Sequence, residues 1–254
     1  MKIEVIKEAS DRLLFVWHVT PRIANVFRRV AMNEVPTLAI EDLSIYENTS
    51  VFFDEYISHR LGLVPLKTDT KGMKLGDKEK FTLEKSGPCT VYSKDLKFKD
   101  PKTGPMYDEV PILKLNEGQR IRLEGEAEVN KGEEHAKWQP GLVTYQAYPR
   151  IEVLDKKKLK DADKEKASKA ITNAVVSFDK NGNPEIKEPW KCALDGSERD
   201  ASNGAFQFAP EKDKVIFQIE SWGQVAPREI LSKAAQGLME VNEEFAKLAK
   251  KELS

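Results

Sequence analysis

The chain contains three histidines and two cysteines, the side chains that most often hold metal ions or act as nucleophiles and proton carriers. His18 falls in an apolar strand pattern, which predicts a hydrogen-bonded core residue. His59 has no histidine or cysteine three or four residues away, so the spacing of a zinc site is missing. His135 directly follows two glutamates, and three successive residues do not converge on one helix face. We therefore expect no metal centre at any of the three.

Carboxylates are abundant in the 254 residues, but nothing in their spacing singles out an acid–base pair. The chain also lacks the GxSxG, P-loop, GxGxxG and EF-hand patterns. A self-contained enzyme is therefore disfavoured, although a free-standing enzyme built on the β-rich middle of the chain stays open as an alternative.

Composition restricts the possible partners and compartments. Charged residues make up 33% of the chain but nearly cancel, to a net charge of −1, which argues against a chain whose role is to coat nucleic acid. We also expect no direct sequence-specific nucleic-acid binding by this chain. No secretory leader and no apolar run near 18 residues is present, so we expect a soluble cytoplasmic protein with no membrane contact. Cys89 and Cys192 fit a reducing cytoplasm, and a disulfide between them stays open.

The elements that would position these side chains start with a β-hairpin, whose second strand, "RLLFVWHV", is apolar on both faces. Thr20 and Pro21 then predict the start of a helix that Pro36 prevents from continuing. Its apolar stripe consists of Ile23, Val26, Phe27, Val30 and Ala31. Its opposite face consists of Arg22, Asn25, Arg28, Arg29 and Asn33.

Strand patterns dominate the middle of the chain. Residues 37–48 predict a strand, and residues 54–61 predict a short helix in which Phe53, Ile57 and Leu61 recur every fourth residue. Residues 81–153 predict strands, and "QRIRLEGEAEV" alternates most clearly. The lysine-rich segment 155–169 is typical of a solvated helix or linker, "AVVSFDKNGNPEI" predicts a small hairpin, and "DGSERDASNG" predicts a loop.

A long helix is predicted from Pro227 to about Leu253. Six apolar residues follow a 3-4-3-4-3 spacing on it, namely Leu231, Ala234, Leu238, Val241, Phe245 and Leu248. Gly237 lowers helix propensity, so close packing or a kink must explain it. The spacing leaves two interpretations equally open: the apolar seam packs on the chain's own sheet, or it packs on a partner.

Four stretches resemble the D subunit of archaeal RNA polymerase: "ANVFRRVAMNEVPTLAI", "ENTSVFFDEYISHRLGLVPL", "EHAKWQPG" and "FQIESWGQVAPREIL". That family is related to the third-largest subunit of eukaryotic RNA polymerase II and to the N-terminal domain of the bacterial α subunit. The resemblance implies an α+β fold with a discontinuous, RNA polymerase α-like dimerisation domain formed by residues 1–49 and 206–254. It further implies an inserted β-rich domain at 50–160 and a reduced ferredoxin-like third region at 161–205.

The resemblance also implies a non-catalytic assembly platform, active only as part of DNA-directed RNA polymerase, a nucleotidyltransferase. Family members form a heterodimer with small subunit L, dock the second-largest subunit and carry small subunits N and P. The implied dimer contacts are Ile23, Val26, Phe27, Val30, Leu231, Ala234, Leu238, Val241, Phe245 and Leu248. Asn25, Arg28 and Arg29 would meet a large subunit, with intrachain salt bridges as the alternative for the two arginines.

Some family members hold an iron–sulfur cluster through four cysteines in the third region. Here Cys192 is retained, but Asp195 and Glu198 stand where the pattern would place further cysteines. One thiolate cannot hold a cluster. We therefore predict neither a cluster nor any other cofactor, although a redox protein is a second interpretation that iron and sulfide analysis would decide.

Overall fold

A computed structural model describes residues 2–69, 72–155, 176–179, 183–192 and 194–252 of the chain. The chain divides into two compact units. The first comprises Met1–Lys7, Leu14–Asn25 and Thr144–Gln218, and the second comprises Glu8–Leu13, Val26–Val143 and Ile219–Ser254. The domain boundaries expected from the sequence stay predictions.

Within the described residues the chain forms twelve strands and four α-helices. The strands are β1 (Ile3–Glu8), β2 (Arg12–Trp17), β3 (Thr37–Asn48), β4 (Lys78–Ser86), β5 (Cys89–Tyr92), β6 (Lys97–Phe98), β7 (Pro111–Leu115), β8 (Arg120–Asn130), β9 (Gly141–Val153), β10 (Val176–Phe178), β11 (Pro184–Ile186) and β12 (Phe206–Ser221). The helices are α1 (Pro21–Asn33), α2 (Asp54–Gly62), α3 (Ser197–Ala201) and α4 (Pro227–Glu252). This mixture of helices and sheets is compatible with the predicted α+β class.

A four-stranded sheet with the order β1-β2-β12-β9 supplies the core of the first unit. Strand β2 is buried on both faces, as its sequence predicts. Leu14 and Val16 pack in one cluster with Ile216. On the alternate positions, the rings of Phe15 and Phe217 lie 5.3 Å apart. Because side chains alternate along a strand, a strand with apolar residues at every position needs cover on both sides.

The sheet of the second unit has the order β3-β8-β4-β6. Strand β8 pairs antiparallel with β3, with Thr37 opposite Asn130, and with β4, with Lys78 opposite Glu128. Its alternation is as predicted, since Ile121, Leu123, Ala127 and Val129 are buried. These residues form one core with Ile57 and Leu61 of α2.

Four local predictions can be compared with the structure. Two differ from it, one is confirmed, and one falls largely on residues outside the described ranges. Phe53 is 80% exposed, because it precedes the first residue of α2 and its side chain is not on the buried face that Ile57 and Leu61 share. Residues 197–201, predicted as loop, form the short helix α3. The predicted hairpin is present, since β10 pairs antiparallel with β11. The lysine-rich segment lies outside the described residues from position 156 onward.

Two further expectations concern cysteines and membranes. Cys89 and Cys192 form no disulfide with each other. None of the helices in the described ranges combines the length and mean hydropathy that crossing a membrane requires.

Candidate subunit interface

The start of α4 is fixed by a turn that contacts the sheet of the second unit. The Ser221 hydroxyl donates to the Val225 carbonyl at 2.5 Å and accepts from the Gly223 N–H at 2.9 Å. Gly223 has φ +96°, a left-handed conformation that favours glycine. The buried Gln224 side chain donates to the Leu38 carbonyl at 3.1 Å. Because these polar groups are paired, the direction in which α4 leaves β12 is well determined.

An ion pair reinforces the first turn of α4. The Arg228 guanidinium binds the Glu8 carboxylate through two nitrogens, and the Nη2–Oε2 distance is 2.7 Å. The hydrogen bond from Arg228 holds the pKa of Glu8 below its usual range. Both side chains are exposed, so the pair orients the helix more than it stabilises it.

The first third of α4 packs on its own unit. Ile230 and Ala234 are fully buried. A methyl group added at Gly237 would lie 3.8 Å from Glu34 Cβ and 3.9 Å from Val30 Cγ1, so α4 approaches the end of α1 at this glycine. Both distances are ordinary van der Waals contacts, so close packing does not require a glycine at position 237. Burial also removes Ala234 from the predicted dimer contacts, because a side chain enclosed by its own chain cannot meet another one.

Beyond this contact, the apolar seam of α4 is open to solvent. Leu231 and Leu238 are half-buried, whereas Phe245 is 71% exposed and Val241 and Leu248 are more than half exposed. From Met239 to Glu252 the described helix has no buried residue. The stretch is about 20 Å long at 1.5 Å per residue. Among the described residues, the N-terminal end of the seam therefore packs on the chain itself, and the C-terminal end stays exposed.

In helix α1 the buried side chains are small, and the larger apolar side chains are partly or mostly exposed. Ala24 and Ala31 are buried, so alanines form the face that packs on the chain itself. Ile23 and Val26, predicted as interface residues, are exposed, while Phe27 and Val30 are half-buried. Ala31 is therefore part of the chain's own core, and the rest of the predicted stripe is at least partly accessible.

The predicted polar face of α1 is less exposed than expected. Arg29 is exposed, but Asn25 and Arg28 are half-buried. An Arg28 guanidinium nitrogen, Nη1, lies 3.7 Å from the Met32 sulfur, one turn along the helix. The Arg28 guanidinium therefore contacts a residue of its own helix, whereas the Arg29 side chain is exposed to solvent.

A hydrogen-bonded loop before α2 also presents apolar side chains, which the sequence did not predict to be exposed. Val51 and Phe53 are both at least 70% exposed. The Asn48 carboxamide holds the loop by donating to the Phe52 carbonyl at 2.9 Å and by accepting from the Ser50 N–H at 3.1 Å. A signal was present in the run "NTSVFF", where apolar residues follow a turn sequence and fit neither strand nor helix periodicity.

The histidines differ in their surroundings. The described part of the chain contains no cluster of three histidine, cysteine or carboxylate side chains able to hold a metal ion. The His135 ring nitrogen Nδ1 accepts from the Lys137 N–H at 3.1 Å. The His18 side chain is 40% exposed, and its Nε2 lies 3.5 Å from a carboxylate oxygen of Glu4. The prediction that His18 lies in the core is therefore wrong.

Comparisons with known proteins identify the family to which this arrangement belongs. The family model for the RNA polymerase Rpb3/RpoA insert domain matches residues 43–144. DNA-directed RNA polymerase subunit Rpo3 of Pyrococcus horikoshii is 33% identical over 255 residues, which cover 96% of this chain and 96% of that protein. The chain belongs to the Rpo3 family of archaeal RNA polymerase subunits.

Other Rpo3 proteins support the same assignment. The Rpo3 of Methanosphaera stadtmanae is 36% identical over 262 residues and covers 94% of this chain and 95% of its own length. That of Methanocaldococcus jannaschii is 44% identical over 146 residues, covering 57% of this chain and 73% of its own. The resemblance to an archaeal RNA polymerase subunit, predicted from four short stretches, is confirmed at the level of the Rpo3 family.

Proposed function

We propose that the chain is the assembly-platform subunit of an archaeal DNA-directed RNA polymerase, equivalent to the D subunit of that enzyme. The observation that carries this proposal is the uncovered apolar half of α4, centred on Phe245, in a member of the Rpo3 family. A large apolar side chain left in water costs about 1.5–3 kcal/mol relative to burial. A partner that covers Val241, Phe245 and Leu248 would recover this free energy.

The proposed partner on this face is the small subunit L, in a one-to-one heterodimer. The exposed side chains of α1 extend the apolar surface with Ile23 and Val26, and Phe27 and Val30 are partly accessible. Large aromatic and aliphatic side chains at the centre of a patch, with polar residues around them, are typical of protein interfaces. Ala234 is not part of this proposed surface.

The second-largest subunit and the small subunits N and P are the further partners in the proposal. Arg29 suits the large subunit best, because its exposed guanidinium can form two parallel hydrogen bonds to a carboxylate. Arg28 and Asn25 would contribute through the parts of their side chains that stay accessible. The nucleotidyl transfer would take place in other subunits, in the cytoplasm, without sequence-specific DNA contacts by this chain.

We also propose that the third region folds without an iron–sulfur cluster. A small apolar core of Val176, Ala205 and Phe206 occupies this part of the first unit. The Asp195 carboxylate accepts the Ser197 N–H at 3.0 Å, and this hydrogen bond lowers its pKa. A hydrogen-bonded carboxylate is a poor substitute for a thiolate at iron–sulfur centres, so the donor set does not fit the cluster. Analysis of the purified chain should find neither iron nor acid-labile sulfide in stoichiometric amount.

Co-expression with an L-like subunit tests the platform proposal. We expect a one-to-one complex in size-exclusion chromatography and native mass spectrometry. Phe245→Glu should abolish it, because the interface would bury an unpaired charge. The matched control is Gln236→Glu, which adds the same charge at an exposed position outside the seam. A monodisperse chain that ignores the L-like subunit, or a Phe245→Glu variant that binds it normally, would contradict the proposal.

A further inference from the structure

A second surface of this molecule lies away from the apolar seam of α4, within the second unit. It is a recess of about 440 Å³ beside the turn that precedes α4. Leu63, Pro65 and Ala136 line it together with the rings of Tyr107 and Trp222. Leu63, Tyr107 and Trp222 are all at least 44% exposed, so about half of each of these side chains faces solvent. Such a volume suits a few side chains of a bound segment and is far too small for a folded domain.

The recess offers no free charge to an occupant. The Lys137 side chain contributes to its wall, but the ammonium group donates to the Ile40 carbonyl at 2.9 Å and forms an ion pair with Glu41. The Ser221 hydroxyl and the Gln224 carboxamide, also in the wall, are paired with backbone carbonyls. Since the one lysine is neutralised and the lining carries no carboxylate, charge complementarity favours an uncharged ligand.

Three polar groups at the recess remain unused by the chain. The Tyr107 hydroxyl, the Trp222 indole N–H and the Gln139 carboxamide make no hydrogen bond to any other described residue. All three can donate a hydrogen bond. Aromatic side chains with an apolar ring and a polar tip are suited to a ligand that is apolar on its surface and has hydrogen-bond acceptors along its length.

We propose that this recess binds an extended, proline-containing segment of another protein. A polyproline II segment has no internal hydrogen bonds, so its carbonyls are available to these donors. Its pyrrolidine rings are uncharged and fit between aromatic rings, and its restricted backbone loses little entropy on binding. This docking mode is separate from the helix-on-helix contact of α4, and it gives the chain a second kind of partner surface.

Titration of the full chain with a ten-residue oligoproline peptide tests the proposal, with a glycine–serine peptide of equal length as control. The chain carries Phe245→Glu, so that the α4 surface makes no contribution and failure of the platform proposal leaves this test unaffected. The chain has four tryptophans, so nitrogen-15 labelling of tryptophan gives four indole signals. Trp222→Phe identifies the signal of Trp222.

We expect the oligoproline peptide to shift the Trp222 signal saturably, while the two indole signals from the first unit, those of Trp17 and Trp190, stay in place. Tyr107→Ala should weaken this binding about tenfold, as expected when an aromatic anchor is truncated. Phe53→Ala, which removes an exposed ring elsewhere in the second unit, should leave it unchanged. In each variant, indole signals of the other tryptophans at the same positions as in the parent chain show that the protein is folded.

Three results would overturn the proposal. The first is the absence of a saturable shift at millimolar peptide. The second is an equal shift with the glycine–serine peptide, which would mean that the recess does not select proline. The third is a shift of the Trp222 signal with protein concentration alone, which would assign the recess to a second copy of the chain.

Discussion

Gly237 of α4 lies against Val30 of α1, and a Cβ atom at this glycine would stand 3.9 Å from Val30 Cγ1. That separation is an ordinary van der Waals contact, so the site has room for a methyl group. The glycine is thus compatible with the packing without being required by it. Its presence costs the helix about 1 kcal/mol relative to alanine.

Gly237→Ala should therefore raise the free energy of unfolding by about 0.5–1 kcal/mol. Urea denaturation followed by circular dichroism measures the change. Gly237→Val is the control, because its additional methyl groups have to displace Glu34 or Val30, and it should gain nothing or lose stability. An alanine variant less stable than the natural chain would show that the two helices need a closer approach.

The two ends of α4 should respond differently to truncation. Ile230→Ala removes a fully buried side chain and should cost about 2–4 kcal/mol of unfolding free energy. Phe245→Ala removes a larger side chain that is mostly exposed, so the unfolding free energy should stay within about 0.5 kcal/mol. The same variant should reduce self-association in sedimentation velocity. Equal destabilisation by both variants would mean that Phe245 is covered in the free chain.

Arg28→Ala combined with Arg29→Ala should leave the heterodimer with an L-like subunit intact and weaken the joining of the second-largest subunit. The reason is that polar side chains of α1 are proposed for the large subunit, whereas the heterodimer depends on apolar burial. Size-exclusion chromatography of stepwise assembly measures both events. Arg29→Ala alone should retain most of the effect, because Arg29 is the more exposed of the two. Loss of the heterodimer with normal binding of the large subunit would reverse the assignment.

Asp95 ties β4 to the short turn after β5, and its effect on stability should depend on pH. Its carboxylate pairs with Lys85 at 2.8 Å and accepts the Tyr92 N–H at 2.9 Å. Partial burial raises the pKa of Asp95, but the hydrogen bonds from Lys85 and Tyr92 outweigh it, so the pKa lies below its ordinary value. Because its pKa is lower in the folded than in the unfolded state, the Asp95 carboxylate stabilises the fold at pH values above the unfolded-state pKa. This stabilisation is lost as the pH falls through the folded-state pKa.

Asp95→Asn should accordingly cost about 1–2 kcal/mol between pH 5 and pH 7, and the difference from the natural chain should shrink below about pH 4. Urea denaturation at several pH values provides the measurement. Glu126→Gln is the control, since Glu126 pairs with the exposed lysines Lys78 and Lys80 on the surface of the sheet and should matter little. A deficit that grows as the pH falls would show that Asp95 is protonated in the folded chain.

Elements with strong local signals were predictable from the sequence. Pro21 and Pro227 begin α1 and α4 as predicted, because proline fixes the backbone angle of a first helical residue and its missing N–H is not needed there. The alternation in β8 determined which residues are buried. Helix α3, with five residues, is too short for an apolar period to be recognised.

The burial of individual side chains was much less predictable from the sequence. The same spacing places Ala234 and Phe245 on one seam, yet the first is fully buried and the second is 71% exposed. Periodicity specifies a direction around the helix axis, whereas burial depends on where neighbouring elements end. The recess at Trp222 had no local signal at all, because residues far apart in the chain, Leu63, Tyr107 and Trp222 among them, form it only after folding.

The uncovered half of α4 also bears on the thermodynamics of assembly. A helical stretch of about this length is only marginally stable in water when nothing packs against it. Its amide hydrogens should exchange quickly in the free chain and become protected once a partner is present. Association would then be coupled to completion of the helix, with a larger negative heat-capacity change than docking of two preformed surfaces gives. Isothermal titration at several temperatures would reveal that coupling.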